Sequence, residues 1–112
     1  MTYPHPGVDA WESYKEENPM ELKVLFFWAP WCAPCKLMSP GFDDASKANP
    51  NIKFEKINVD QDDATPNRYG VYVIPSICFC INGLLYHTHI GIMTESSIND
   101  EIMKMKKEIE SG

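Results

Sequence analysis

The sequence has no surplus of basic residues: 10 lysines and arginines stand against 16 aspartates and glutamates, which gives a net charge of −6. This balance argues against a nucleic-acid-binding surface, which would need a basic patch. No apolar stretch approaches the ~20 residues of a membrane-spanning helix. The first residues show neither the basic region nor the apolar region of a secretory signal. We therefore expect a cytoplasmic protein that binds neither nucleic acid nor membrane.

Cysteine is scarce, and among the 4 cysteines only one pair has the Cys-x-x-Cys spacing. Structural zinc sites usually take four ligands, often from two such pairs, so zinc is not expected. The other two, Cys78 and Cys80, are two residues apart on a predicted strand and do not readily form a disulfide with each other. Free cysteines are among the most buried residues, which predicts core packing, with regulatory oxidation or metal binding as the alternative.

The remaining metal-ligating residues form weak patterns. His87 and His89 share one face of a predicted strand, but two ligands make a poor site, and a solvated face is the simpler interpretation. Asp60, Asp62 and Asp63 lack the ligand spacing and the glycine of a calcium loop, which favours capping and solvation. We expect neither a metal nor a cofactor.

Length and composition predict a single domain over residues 1–112, since 44% hydrophobic content is ample for one core. No repeats, linkers or low-complexity segments interrupt it. The predicted elements are a helix at 8–17, strands at 22–28 and 52–59 with a helix at 33–48 between them, a short helix within 62–69, strands at 76–81 and 84–90, and a final helix from residue 94. Asn82 and Gly83 predict a tight hairpin between the last two strands. Thr94 can cap the final helix, whose apolar face comprises Ile98, Ile102, Met105 and Ile109.

The most informative segment is Trp-Cys-Ala-Pro-Cys-Lys at residues 31–36, between a predicted buried strand and a predicted helix. A Cys-x-x-Cys pair at such a junction is typical of a reversible dithiol/disulfide switch. A helix that begins near Cys32 would favour its thiolate, the nucleophilic form, through unpaired N–H groups and the helix dipole. Cys35 falls on nearly the same helix face, within disulfide reach. The flanking Trp28 and Trp31 predict an exposed, attacking Cys32 and a sheltered, resolving Cys35.

This segment resembles the active site of the thioredoxin family, whose commonest version has glycine in place of Ala33. The resemblance covers roughly residues 22–110, and its matching segments occur in the same order and at the same spacing as in the family. These segments are Pro40, residues 56–60, residues 68–76, the Asn82-Gly83 hairpin and Gly91. It implies an α/β thioredoxin fold, with a central mixed β-sheet flanked by helices on both faces. Residues 3–6 supply little of the family's first strand, which is expected to be short or missing.

The resemblance implies a thiol–disulfide oxidoreductase that reduces disulfides in partner proteins through Cys32 as nucleophile and Cys35 as resolving cysteine. A thioredoxin reductase or an equivalent dithiol donor would regenerate it, and a monomer is expected. Strongly oxidising relatives carry a histidine or another cation between the cysteines, whereas Ala33 and Pro34 supply none, so reduction is the favoured direction. The alternatives are an oxidase or isomerase, and a binding subunit whose role does not depend on redox state.

The resemblance also implies a substrate groove beside Cys32. Pro75 matches the family's cis-proline, although most X–Pro bonds are trans, and the Ile74 backbone would hydrogen-bond an incoming chain. The remaining groove positions are Trp31, Ala33, Pro34, Val59, Val73, Ile90, Gly91 and Ile92. An exposed apolar patch of this kind usually marks a protein-binding surface. Gly91 would let a partner backbone approach closely, or would serve only a bend.

The chain departs from the family at Phe26, where most thioredoxins have a buried aspartate that relays the proton leaving the resolving cysteine. That aspartate faces the lysine that matches Lys56. A buried, unpaired ammonium is costly, so Lys56 should reach solvent, find another acid or lose its proton. We predict that water or Lys56 itself relays the proton and that resolution is slower than in a typical member. Replacing Phe26 by Asp tests this, and an unchanged exchange rate would count against it.

Overall fold

The structure, a computed structural model, describes residues 21–111. Its elements follow the predicted order: β1 Leu22–Trp28, α1 Ala33–Ala48, β2 Lys53–Asn58, α2 Ala64–Tyr69, β3 Ser76–Ile81, β4 Leu84–Ile90 and α3 Glu95–Ser111. The predicted helix at 8–17 and the weak first strand at 3–6 lie outside the described residues. All elements predicted within the described range are therefore present.

The strands form one mixed sheet of four strands in the order β2-β1-β3-β4. β1 pairs parallel with β2 and antiparallel with β3, which pairs antiparallel with β4. A parallel pair needs a crossover connection, and α1 supplies it. The carboxyl ends of β1 and β2 consequently meet at one edge of the sheet, where the segment 29–32 leads into α1. This confirms the expected α/β fold with a mixed central sheet.

Both faces of β1 are buried, so its side chains pack into two hydrophobic clusters, one on each face of the sheet. The larger cluster includes Val24 and Phe26 and is covered by the two long helices. Its helical members are Cys35, Met38, Phe42 and Ala45 from α1 and Ile98, Ile102, Met105 and Ile109 from α3. The smaller cluster, on the opposite face, comprises Leu25, Phe27, Val71, Cys78 and Cys80. The apolar face predicted for the final helix is thus confirmed as the face that closes the main core.

Local turn and cap signals act as the sequence predicts. Asn82 and Gly83 have φ values of 53° and 80°, the left-handed backbone that a two-residue hairpin of this type requires. The Thr94 hydroxyl accepts a hydrogen bond from the Ser97 N–H at 3.1 Å, which caps the start of α3. Pro40 lies inside α1, at the position expected from the resemblance. These signals are read correctly from sequence because each depends only on neighbouring residues.

Cys78 and Cys80 are free thiols buried on the smaller face of the sheet, which confirms the core interpretation. Burial raises the pKa of both thiols, and that of Cys80 reaches about 11. Cys78 adds to the shift at Cys80 through charge repulsion, while a hydrogen bond with Tyr69 opposes it. A thiol held in its neutral form in the core is a poor nucleophile.

The raised pKa of Cys80 predicts a loss of stability at alkaline pH. The unfolded thiol ionises near its ordinary pKa of 9.0, whereas the folded thiol keeps its proton up to about 11. The unfolded state therefore binds fewer protons over this range, and the free energy of unfolding falls by about 1 to 2 kcal/mol as pH rises through it, after allowance for solvent screening. Urea unfolding of the Cys80→Ala variant should lack this portion of the decline. Identical pH slopes in the variant and the parent would contradict the assignment.

Candidate active site

Cys32 and Cys35 are joined by a disulfide bond, and their Cα atoms are 5.3 Å apart. Cys32 is the N-cap residue of α1, and its sulfur accepts a hydrogen bond from the Cys35 backbone N–H at 3.3 Å. Pro34 fits the first turn because its missing N–H has no intrahelical acceptor there. The same N–H group and the positive end of the helix would stabilise a thiolate at Cys32 once the disulfide is reduced.

The two cysteines differ in exposure less than the sequence predicts. Cys32 is 5% exposed and Cys35 is 1% exposed, so both belong to the main cluster. The expectation of an exposed Cys32 is therefore wrong in absolute terms and holds only relative to Cys35. In this oxidised state the Cys32 sulfur is bonded to Cys35 and accepts the hydrogen bond from the Cys35 N–H at the start of α1.

Trp31 precedes Cys32, and its side chain is hydrogen-bonded to a residue that follows the end of β2. Its side chain is 68% exposed, yet its indole N–H donates to both carboxylate oxygens of Asp60, at 3.2 and 3.1 Å. Asp60 follows the carboxyl end of β2, the strand parallel to the one that leads to Trp31. The assignment of Asp60 to capping and solvation therefore missed its contact with Trp31. The arrangement of the parallel strands is the signal that could have revealed this contact.

Most of the predicted groove residues have exposed apolar side chains, whereas Val59 and Ile74 are partly buried. The Ile74–Pro75 peptide bond is cis, and the Pro75 carbonyl accepts a hydrogen bond from the Gly91 N–H at 2.9 Å. Gly91 has a φ of 103°, so the bend alone already favours glycine. Exposed apolar or partly apolar side chains here are Trp31, Ala33, Pro34, Tyr72, Val73, Ile90 and Ile92. A cavity of about 280 Å³ has Trp31, Val59, Tyr72 and Ile74 among its lining residues.

Lys56 both reaches solvent and finds another acid, two of the outcomes that the sequence left open. Its ammonium lies 2.9 Å from an Asp43 carboxylate oxygen and donates to the Ser39 hydroxyl at 2.7 Å. Phe26 is its partner in the parallel register of β1 and β2. Lys56, Ser39 and Cys35 all line one cavity of about 110 Å³. Sequence reasoning missed Ser39 and Asp43, although both follow Cys35 along α1 at intervals of four residues.

The other candidate ligands make separate contacts. His87 approaches Glu101 at 3.8 Å, and the His89 ring lies 3.2 Å from the Ile92 carbonyl oxygen. Asp62 accepts hydrogen bonds from the hydroxyl and the backbone N–H of Thr65, and both bonds lower the pKa of Asp62. Among residues 21–111 no three metal-ligating side chains come together. Within the same range no helix has the length and apolarity needed to cross a membrane.

Comparison with known proteins agrees with this geometry. The family model described as Thioredoxin matches residues 8–104. The chain belongs to the thioredoxin family. It is 40% identical over 92 residues to a thioredoxin of Rickettsia conorii, an alignment that covers 80% of this chain and 88% of the relative. It is 39% identical over 97 residues to a chloroplastic M-type thioredoxin of Brassica napus, covering 84% of this chain and 53% of that protein.

A solved structure extends the likeness to the fold. Fasciola hepatica thioredoxin superposes with a TM-score of 0.71 at 29% identity, over 83% of this chain and 88% of that one. Family membership and the bonded cysteine pair make the chain a thiol–disulfide oxidoreductase, a thioredoxin-type protein-disulfide reductase. The relatives do not favour the alternatives, an oxidase or isomerase and a redox-independent binding subunit.

Proposed function

We propose that Cys32 is the nucleophile and Cys35 the resolving cysteine of this reductase. The Cys32 thiolate attacks one sulfur of a substrate disulfide, so a mixed disulfide forms and the other substrate sulfur leaves as a thiolate. Cys35 then loses its proton and attacks the Cys32 sulfur. The Cys32–Cys35 bond forms, the mixed disulfide breaks, and the second substrate sulfur leaves with its electron pair. Two electrons thus pass from the protein to the substrate.

Substrates in this proposal are disulfide-containing proteins that lie in the groove beside Trp31. The exposed apolar side chains at Val73, Ile90 and Ile92 support this, because such a patch usually contacts another protein. Val59 and Ile74 line the groove more deeply, and the Ile74 backbone, next to Pro75, is the proposed hydrogen-bonding edge for a substrate strand. Gly91, Ala33 and Pro34 leave the approach to the cysteines free of large side chains.

The proposal also includes the direction of electron transfer, which is from the protein to its substrates, and a reducing cellular compartment. No cation lies between the cysteines to stabilise the reduced form strongly, so the protein should donate electrons and then be regenerated by a thioredoxin reductase or another dithiol donor. The chain is proposed to act as a monomer in the cytoplasm, where free thiols such as Cys78 and Cys80 stay reduced. Residues 1–112 are proposed to form one domain, which the match over residues 8–104 supports.

The position of the Cys32 sulfur, at the start of α1 and bonded to Cys35, carries this proposal, and a trapping experiment tests it. In Cys35→Ser the second step is blocked, so a mixed disulfide between Cys32 and one sulfur of the substrate should accumulate. Incubation with insulin, followed by non-reducing electrophoresis and mass spectrometry, detects this adduct. The matched Cys32→Ser, Cys35→Ser variant should form none. An adduct on Cys78 or Cys80, or no adduct at all, would contradict the assigned roles.

A further inference from the structure

Resolution requires Cys35 to lose a proton while it is almost completely buried. Cys35 is 1% exposed, and burial disfavours an ionised thiolate. Phe26, also 1% exposed, lines the same cavity as Cys35 with an apolar ring and supplies no acid there. Some other polar group must therefore stabilise the thiolate as it forms.

The cavity beside Cys35 is lined by polar groups that could stabilise its thiolate. It has a volume of about 110 Å³ and is lined by Cys35, Ser39, Lys56 and Trp28, among others. The Trp28 indole N–H is buried and has no hydrogen-bond acceptor among residues 21–111. A cavity of this size holds water when several polar groups line it, and a buried N–H of this kind is a typical partner of such a water. The cavity therefore suits a water-mediated path for the proton.

Ser39 is the lining residue best placed to act on Cys35. It lies four residues after Cys35 on α1, so the two side chains are neighbours on one helix face. The Ser39 oxygen accepts a hydrogen bond from the Lys56 ammonium at 2.7 Å. In this bond the Ser39 oxygen acts as the acceptor, so its O–H is free to donate to another group. The Lys56 ammonium also polarises this O–H bond and strengthens it as a donor.

Asp43 holds the cation in place. Its carboxylate lies 2.9 Å from Lys56 and, four residues after Ser39, on the same stripe of α1. The charged groups around the cavity are thus Lys36 and Asp43 from α1 and Lys56 from β2. A lysine with two partners keeps a defined position, whereas a free one would extend into solvent.

We propose that Ser39, oriented by the Lys56–Asp43 pair, donates a hydrogen bond to the Cys35 sulfur, directly or through one water, and so promotes its ionisation during resolution. The proton of Cys35 passes to water in the cavity and then to solvent. The thiolate attacks the Cys32 sulfur, the Cys32–Cys35 bond forms, and the substrate sulfur leaves with its electron pair. Ser39, Lys56 and Asp43 are positioning residues, and this inference rests on the proposed roles of Cys32 and Cys35.

Stopped-flow reaction with the chromogenic disulfide dithiobis(nitrobenzoate) separates the two steps. Attack by Cys32 releases one coloured thiolate at a rate that rises with reagent concentration. Resolution by Cys35 releases the second at a rate that does not, because this step is intramolecular. We expect Ser39→Ala and Lys56→Met to slow the second phase by about tenfold at neutral pH and to raise its pH midpoint by about one unit. The first phase should stay within about twofold of the parent.

Conservative and matched variants separate positioning from structure. Ser39→Thr keeps the hydroxyl and should restore the second phase and its pH midpoint. Ser46→Ala, on the same helix, and Lys53→Met, on the same strand, should leave both unchanged. The proposal would be overturned if Ser39→Ala and Lys56→Met had the same second-phase rate and pH midpoint as the parent. The proposed roles of Cys32 and Cys35 would still hold in that case. A parent protein that shows no second phase would overturn both.

Discussion

Replacing Cys32 by Ser should lower disulfide-reductase activity by about a thousandfold or more, since a hydroxyl at this position is not ionised at neutral pH. The N–H of Cys35 and the start of α1 stabilise an anion at Cys32, but they cannot offset the far higher pKa of an alcohol. Cys35 should not take over, because it lies in the first turn of α1 and is only 1% exposed. Reduction of insulin by dithiothreitol, followed by turbidity after subtraction of the uncatalysed rate, measures the loss.

The control for this experiment is Cys78→Ala, which removes a buried thiol on the opposite face of the sheet. It should retain the parent's activity per folded molecule, because the smaller cluster contains neither active cysteine. Activity in Cys32→Ser above a few per cent of the parent, with Cys78→Ala fully active, would mean that another thiol attacks the substrate. The assignment of Cys32 as nucleophile would then be wrong.

Replacing Phe26 by Ala should destabilise the protein by about 3–5 kcal/mol, because it leaves a cavity in the centre of the main core. Phe26 is 1% exposed, and its ring centroid lies 5.1 Å from that of Phe42 on α1. Such a loss is large for a domain whose total stability is about 5–15 kcal/mol. Urea unfolding measures it, and Leu37→Ala, at a position on α1 that is 76% exposed, is the matched control. A cost below about 1 kcal/mol would show that the core is not packed as described.

Phe26→Asp adds a carboxylate beside Lys56, its partner in the register of β1 and β2. Its stability should fall at least as far as that of Phe26→Ala, because a charge replaces an apolar ring in the core. The second phase of disulfide exchange, measured per folded molecule, should nevertheless be faster than in the parent. An unchanged rate would count against the prediction that the missing carboxylate slows resolution in this chain.

Much of this fold could be predicted because its signals are local. The Cys-x-x-Cys pair occurs at a strand-to-helix junction, Asn82 and Gly83 form a hairpin, and Thr94 caps the last helix, all through contacts within a few residues. Periodicity identified the buried face of α3, since residues three or four apart on a helix share one side. The family resemblance added the groove and the cis bond before Pro75.

Contacts between separate elements could not be obtained in this way. Asp60 meets Trp31 only because β1 and β2 run parallel and end at one edge of the sheet. Lys56 reaches Ser39 and Asp43 only because α1 crosses over that same pair of strands. The identities of the two cysteines and the helix start beside them follow from the order of residues along the chain. The burial of both sulfurs and the polar groups behind Cys35 depend on how helix and strands pack, because distances between distant segments arise only when the chain folds.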